Sequence, residues 1–218
     1  MIKPRGEVLI EHIRQGGNGE AARELIFELA AGYPVVNLRR LFQSELDDVV
    51  KTGAWIASEL GERVVPLLRD LSDLLRHQLP YVRAFALDAI LMAASPQNGD
   101  VIAEAVYLVD DPDEGVRWKA MHFLSRASVQ QLRASVRNLT DIKHASLVRW
   151  LLDVTSSVRI ADIMGRADDS AASTRLFAAA AAARVEHTTL VPLRHVAESK
   201  DAEISSFARE WLEIRNIS

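Results

Sequence analysis

Asp110-Asp111-Pro112-Asp113-Glu114-Gly115-Val116-Arg117 decides the fold, because the same eight-residue word recurs along the chain. It can be laid down again at Ser44–Lys51 (SELDDVVK), Arg76–Arg83 (RHQLPYVR), Ile142–Arg149 (IKHASLVR), Asp168–Arg175 (DDSAASTR) and Glu198–Ser205 (ESKDAEIS). The seventh position is Val50, Val82, Val116, Val148, Thr174 and Ile204, with spacings of 32, 34, 32, 26 and 30 residues. An Ala follows four residues later in five copies: Ala54, Ala86, Ala120, Ala178 and Ala208. A period of this size marks a stacked array of supersecondary units. In the best copy, the Asp111 carboxylate is expected to cap a helix. Pro112 suits the first helical turn, where its missing N–H costs nothing. Asp113 and Glu114 then lie at the positive end of the helix dipole. Val116, Ala120, Phe123 and Leu124 follow at helical spacing and face the core.

Each unit therefore reads as two helices, the word supplying the turn between them. Before two of the words, Val64, Val65, Leu67, Leu68, Leu71, Leu74 and Leu75, and then Val101, Ile102, Ala105, Val106, Leu108 and Val109, give the first helices. The pattern predicts helices near 7–15, 20–31, 35–43, 46–60, 63–78, 80–94, 99–109, 113–126, 129–138, 144–155, 157–166, 170–185, 189–198 and 202–215. Gly16-Gly17-Asn18-Gly19 is the strongest break, and Gly32-Tyr33-Pro34 a second stop. The Ala178–Ala183 run falls in the register of a close-packed second helix. The spacing of 26 implies that the fourth-to-fifth connection, or one of its helices, is short. The expected fold is all-α, a right-handed α-solenoid of stacked helical hairpins. Residues 1–43 lack the word and read as a degenerate repeat or cap, continuous with the array over 44–218.

Composition bounds the function. Ala and Leu dominate, hydrophobic residues make up 49% and aromatics 6% of 218 residues, which favours closely packed helices. There is no cysteine, so disulfides and thiolate metal sites are excluded. The net charge of −4 argues against a general nucleic-acid binder and suits a protein partner, including a basic one. Residues 1–6 turn straight into an amphipathic stretch without a leader pattern, and no apolar run has the length of a membrane span. The expectation is a cytoplasmic protein, in which the Asn138-Leu139-Thr140 sequon carries no meaning.

The spacing and the Asp110–Arg117 word resemble HEAT repeats, especially the short bacterial HEAT-like repeats of the phycobilin lyases. The likeness runs from about residue 44 to 215. It is strongest at Asp110–Arg117, fair at Leu79–Asp88 and weaker elsewhere, Thr174 replacing the Val and Ser205 the Arg in the last two copies. The resemblance implies that the second helices line a concave surface where ligands bind. A fold label implies no chemistry by itself.

Lys51, Arg83, Arg117, Arg149 and Arg175 should align along one edge. Either they track phosphates, or they form a ladder with carboxylates such as Asp47, Asp111, Asp113 and Asp169; the mixed signs of the word favour the ladder. Trp118 and Trp150 each lie two residues after the marker position, where other copies carry Thr52, Ala84, Leu176 and Ser206. They are expected side by side near the concave face, with Met121, His122 and Asp153 extending the patch, as anchors for a partner. The alternative is that both rings pack between neighbouring helices. The six histidines have no metal-ligand spacing, and no nucleophile elbow, phosphate loop or dinucleotide fingerprint is present. Paired acids such as Asp47-Asp48, Asp110-Asp111 and Asp168-Asp169 recur at helix starts, which makes them caps. Neither cofactor nor metal is expected.

The leading expectation is a non-catalytic protein-binding module, including an inhibitor or immunity-type protein that neutralises a toxin or enzyme by covering it. A scaffold or assembly factor is the broader alternative. The resemblance also leaves open a HEAT-like enzyme, either an alkylpurine DNA glycosylase or a phycobilin-lyase-like protein.

Overall fold

The computed structural model describes residues 3–17 and 19–216, so Met1, Ile2 and the Asn18 of the expected glycine-rich break lie outside the described residues. The described residues form fourteen α-helices and no strand. None of these helices is long and apolar enough to cross a membrane. The chain divides into two compact units, residues 1–95 and 96–218.

The first unit holds α1 (Arg5–Arg14), α2 (Gly19–Ala30), α3 (Arg39–Phe42), α4 (Asp47–Glu59), α5 (Leu68–Leu74) and α6 (Pro80–Ala93). Gly32, at φ 113°, ends the α2 segment in the left-handed conformation that glycine adopts without penalty. Two expected helices are shortened by 3₁₀ turns, Val35–Leu38 before α3 and Gly61–Leu67 before α5. In the second case Pro66 has no N–H for a helical bond. Within this unit α2 and α3 pack against α4, and α4 against α6. Residues of the expected cap thus share a core with the first two words.

The second unit holds α7 (Gly99–Tyr107), α8 (Glu114–Arg126), α9 (Val129–Val136), α10 (Ile142–Ser156), α11 (Ile160–Ala167), α12 (Ala172–Arg184), α13 (Val191–Ala197) and α14 (Ala202–Asn216). First helices meet first helices, α7 on α9 and α11 on α13; second helices meet second helices, α10 on α12 and α12 on α14. The order of a simple stack is broken at α8, which packs against α12, two hairpins further on, and touches α14. Leu176 to Ala183 are buried without exception. The small side chains of the alanine run let α12 be approached by α8, α10, α11, α13 and α14 together.

The word has a definite bond pattern, and it corrects the expected capping. Its second side chain accepts the N–H of the fourth residue: His77 from Leu79 at 3.1 Å, Asp111 from Asp113 at 2.9 Å, Asp169 from Ala171 at 2.8 Å and Ser199 from Asp201 at 3.2 Å. The fourth residue is the N-cap. In the best copy Asp113, not Asp111, accepts from Val116 N at 3.1 Å, and Pro112 precedes the helix. Arginine in the eighth position folds back onto the carbonyls of the second and third residues. Arg83 donates to His77 O and Gln78 O, Arg117 to Asp111 O and Pro112 O, and Arg175 to Asp169 O and Ser170 O, all between 2.7 and 3.1 Å. The side chain of the second residue thereby satisfies an N–H that a helix start leaves open, and the arginine satisfies two carbonyls of the turn.

This pattern moves two copies. In the first, Ser44 Oγ accepts from Leu46 N and Leu46 is the N-cap, so the word is Gln43–Val50 and its marker is Val49. In the fourth, the N-cap is Asp141, so the word is Asn138–Ala145 and its marker is His144. The markers are then Val49, Val82, Val116, His144, Thr174 and Ile204, all buried, at spacings of 33, 34, 28, 30 and 30 residues. The short fourth-to-fifth interval disappears. His144 is accommodated in place of valine because its ring lies between two carboxylates, Asp141 at 2.9 Å and Asp110 at 3.1 Å. Four residues after the moved first marker stands Gly53, where an added Cβ would lie 2.8 Å from Leu41 Cβ. The small residue there is required by the close approach of α3.

Candidate functional site: an aromatic pocket in the second unit

α8 and α14 each present an aromatic pair at i, i+4 spacing, which places both members on one helix face. From α8 come Trp118 and His122; from α14 come Phe207 and Trp211. The four rings close a circuit. Trp118 and His122 lie 5.8 Å apart and nearly parallel at 8°; His122 and Trp211 are 5.8 Å apart, Trp211 and Phe207 5.4 Å, and Phe207 and Trp118 5.9 Å. These are ordinary separations for interacting rings. Phe207 is fully buried, Trp211 nearly so, and Trp118 and His122 half-buried. The circuit walls a cavity of about 580 Å³, with Glu186, Glu210, Arg126 and Ile214 at its margin.

Two polar contacts fix the walls. Trp211 Nε1 donates to the Glu186 carboxylate, which satisfies the indole N–H and holds an acid beside the ring. Arg126 lays its guanidinium over the Trp211 ring, 4.9 Å from the ring centroid. α8 and α14 are themselves clamped by Arg117, whose guanidinium meets Glu203 in a bidentate pair at 2.9 Å for each nitrogen's nearer oxygen. The carboxylate holds the Arg117 pKa above its usual value through that hydrogen bond, against the effect of burial.

The structure separates the five expected patch residues. Trp118 and His122 line the pocket. Met121 does not: it is fully buried, because it follows Ala120 on the inward side of α8. Trp150 is on α10, where Arg166 of α11 covers its ring at 4.6 Å. Asp153 is exposed and bound to Arg159 at 2.6 Å. Among the described residues no ring contact joins Trp118 and Trp150. Their equivalence was an effect of register: Trp118 lies two residues after its marker, Trp150 six after His144. Phe207 and Trp211 were missed, although their i, i+4 spacing matches that of Trp118 and His122.

The expected basic edge also resolves into separate contacts. Arg117 and Arg175 pair with Glu203 and Asp201, not with the carboxylates of their own words. Lys51 lies over the Tyr81 ring at 5.4 Å. Among the described residues no three acidic or histidine side chains converge as a metal site.

No family model matches the chain, and no curated protein matches it. A solved structure of an engineered protein is similar to it at 17% identity, with a TM-score of 0.49, over 95% of this chain and 89% of that one.

Proposed function

We propose that this chain is a non-catalytic protein-binding module, and that a partner segment seats in the pocket walled by Trp118, His122, Phe207 and Trp211. The observation that carries the reading is the pocket itself. Two tryptophans border a cavity of about 580 Å³ on the outside of a well-packed helical unit. Aromatic side chains flanked by polar groups are the usual anchors of protein interfaces. Glu186 and Glu210 at the margin favour a segment with a basic residue beside its apolar anchor. The all-helical architecture and the recurring clasped turn support a HEAT-like, right-handed α-solenoid as the frame, with α12 drawing α8 inward.

Within this class the specific reading is an inhibitor or immunity-type protein, which neutralises a toxin or enzyme by covering it, and the broader one a scaffold or assembly factor. The test begins with affinity capture from the native cell, using wild type and Trp118→Ala side by side, with a melting curve for each. Truncating a central anchor costs about 2 kcal/mol or more of binding, so capture of the partner should fall at least tenfold while the variant still melts cooperatively. If Trp118→Ala melts far below wild type and its folded fraction captures the partner normally, Trp118 is a core residue and the reading fails. Loss of the partner's activity on binding fits inhibition; retained activity fits a scaffold.

A further inference from the structure

The C-terminal end of α8, the start of α9 and the end of α12 enclose a second cavity, of about 360 Å³, which Arg126, Arg133, Arg184 and His187 line together. No carboxylate borders it. Two other cavities are bordered by acids, one by Glu186 and Glu210 and one by Asp168, Glu198 and Asp201. Elsewhere Arg39 meets Asp70, Arg40 meets Glu7 and Glu11, Arg159 meets Asp153 and Asp162, and Arg175 meets Asp201. Among the described residues none of Arg126, Arg133 and Arg184 pairs with an acid, although the chain carries more acids than bases.

Arg184 is the built part of the cavity. Its Nη1 donates to the carbonyls of Leu124, Ser125 and Ala127 at 2.9, 3.2 and 2.7 Å. This fixes the guanidinium on the end of α8. Among the described residues its Nε and Nη2 meet no acceptor. Burial alone pulls its pKa below the usual value, as expected of a cation lacking an anion. Three of the hydroxyls nearby are already committed. Ser125, Thr155 and Ser156 donate to backbone carbonyls. The start of α9, at Ser128 and Val129, adds the positive end of a helix dipole. Guanidinium forks match tetrahedral oxyanions in charge and geometry.

We propose that Arg126, Arg133 and Arg184 form a binding site for a phosphate monoester. The site adjoins the aromatic pocket, since Arg126 and His187 border both cavities. The phosphoryl group belongs among the arginines, and the organic part of the ester extends toward Trp211. The ester comes either from a small molecule or from a phosphorylated side chain of a partner; the chemistry recognised is the same.

The test is a thermal melt titrated with inorganic phosphate, against sodium chloride at matched ionic strength, because screening alone alters surface electrostatics. Phosphate should raise the melting temperature saturably beyond chloride. Arg133→Gln and Arg126→Gln, both at exposed positions, should each weaken the apparent affinity by roughly tenfold. Arg184→Gln is not the deciding variant, since it also releases the three carbonyls. Adenosine monophosphate and a phosphoserine peptide are then titrated in parallel. Tighter binding of either than of inorganic phosphate supports the ester and identifies its source. An equal response to phosphate and chloride, or one unchanged in both glutamine variants, overturns the site. Esters that bind no better than free phosphate overturn the monoester assignment. Trp118→Ala should leave the phosphate response intact, so this site and the proposed protein-binding pocket fail separately.

Discussion

Arg175 carries the logic of the chain at the scale of one residue. Its guanidinium seals its own turn through Asp169 O and Ser170 O, and reaches the next turn through Asp201 at 2.7 Å. Burial works against ionisation of Asp201, but the Arg175 hydrogen bond, the N–H groups of Glu203 and Ile204 and the arginine charge together hold its pKa below the usual 3.8. A carboxyl with a depressed folded pKa contributes stability that is present at neutral pH and lost as pH falls through the folded value. Arg175→Met should therefore cost about 1–2 kcal/mol near pH 7, discounted for partial exposure. Its deficit against wild type should shrink below about pH 4, where the carboxyl titrates. Melting curves of both proteins at pH 7 and pH 3 check this; an equal deficit at both would show that Asp201 takes no part. The sequence disclosed that a basic residue recurs after the marker. It did not disclose the partners, because a carbonyl has no letter of its own and Asp201 lies in the following copy.

The element scale shows what periodicity carries and where it stops. Each of the fourteen expected helical segments contains a helix, since apolar spacing and turn residues both act locally. Register was less legible. A valine followed by a basic residue points to Val50 and Val148, yet the bond from Leu46 and the cap at Asp141 place the markers at Val49 and His144. A histidine is read poorly as a core residue when the two carboxylates that bracket it are 34 and 3 positions away in sequence. That slip of four positions also produced the supposed pairing of Trp118 and Trp150. The packing of α8 on α12 rests on contacts some sixty residues apart, such as Arg184 with Leu124 O, and nothing in a local pattern announces it. It does give a test. Ala120, on the buried face of α8, is 1% exposed, so Ala120→Leu should overpack the unit and cost about 1–3 kcal/mol. Chemical denaturation measures it; a neutral result would mean that α8 is free to move away from its neighbours.

At the scale of the whole molecule, the two units hold most of their apolar side chains inside; Phe27 and Tyr81 stand exposed in the first unit, whereas four rings of α8 and α14 gather into one pocket in the second. Trp118 and His122 were legible as candidates because a large ring offset from a core stripe is hard to bury completely. The other half of the pocket was not, because α14 lies about 90 residues further on. The proposed function requires that a partner dock in this pocket. Ile214 lines its margin and is 57% exposed, so a photo-cross-linking residue there can report the contact without disturbing the rings. Met92 of α6, 58% exposed in the other unit, serves as the control. Irradiation in the native cell should give one discrete protein adduct at position 214, absent at position 92, and reduced at least tenfold by Trp118→Ala. The same adducts at both positions, or an adduct at 214 indifferent to Trp118, would contradict the proposed binding site.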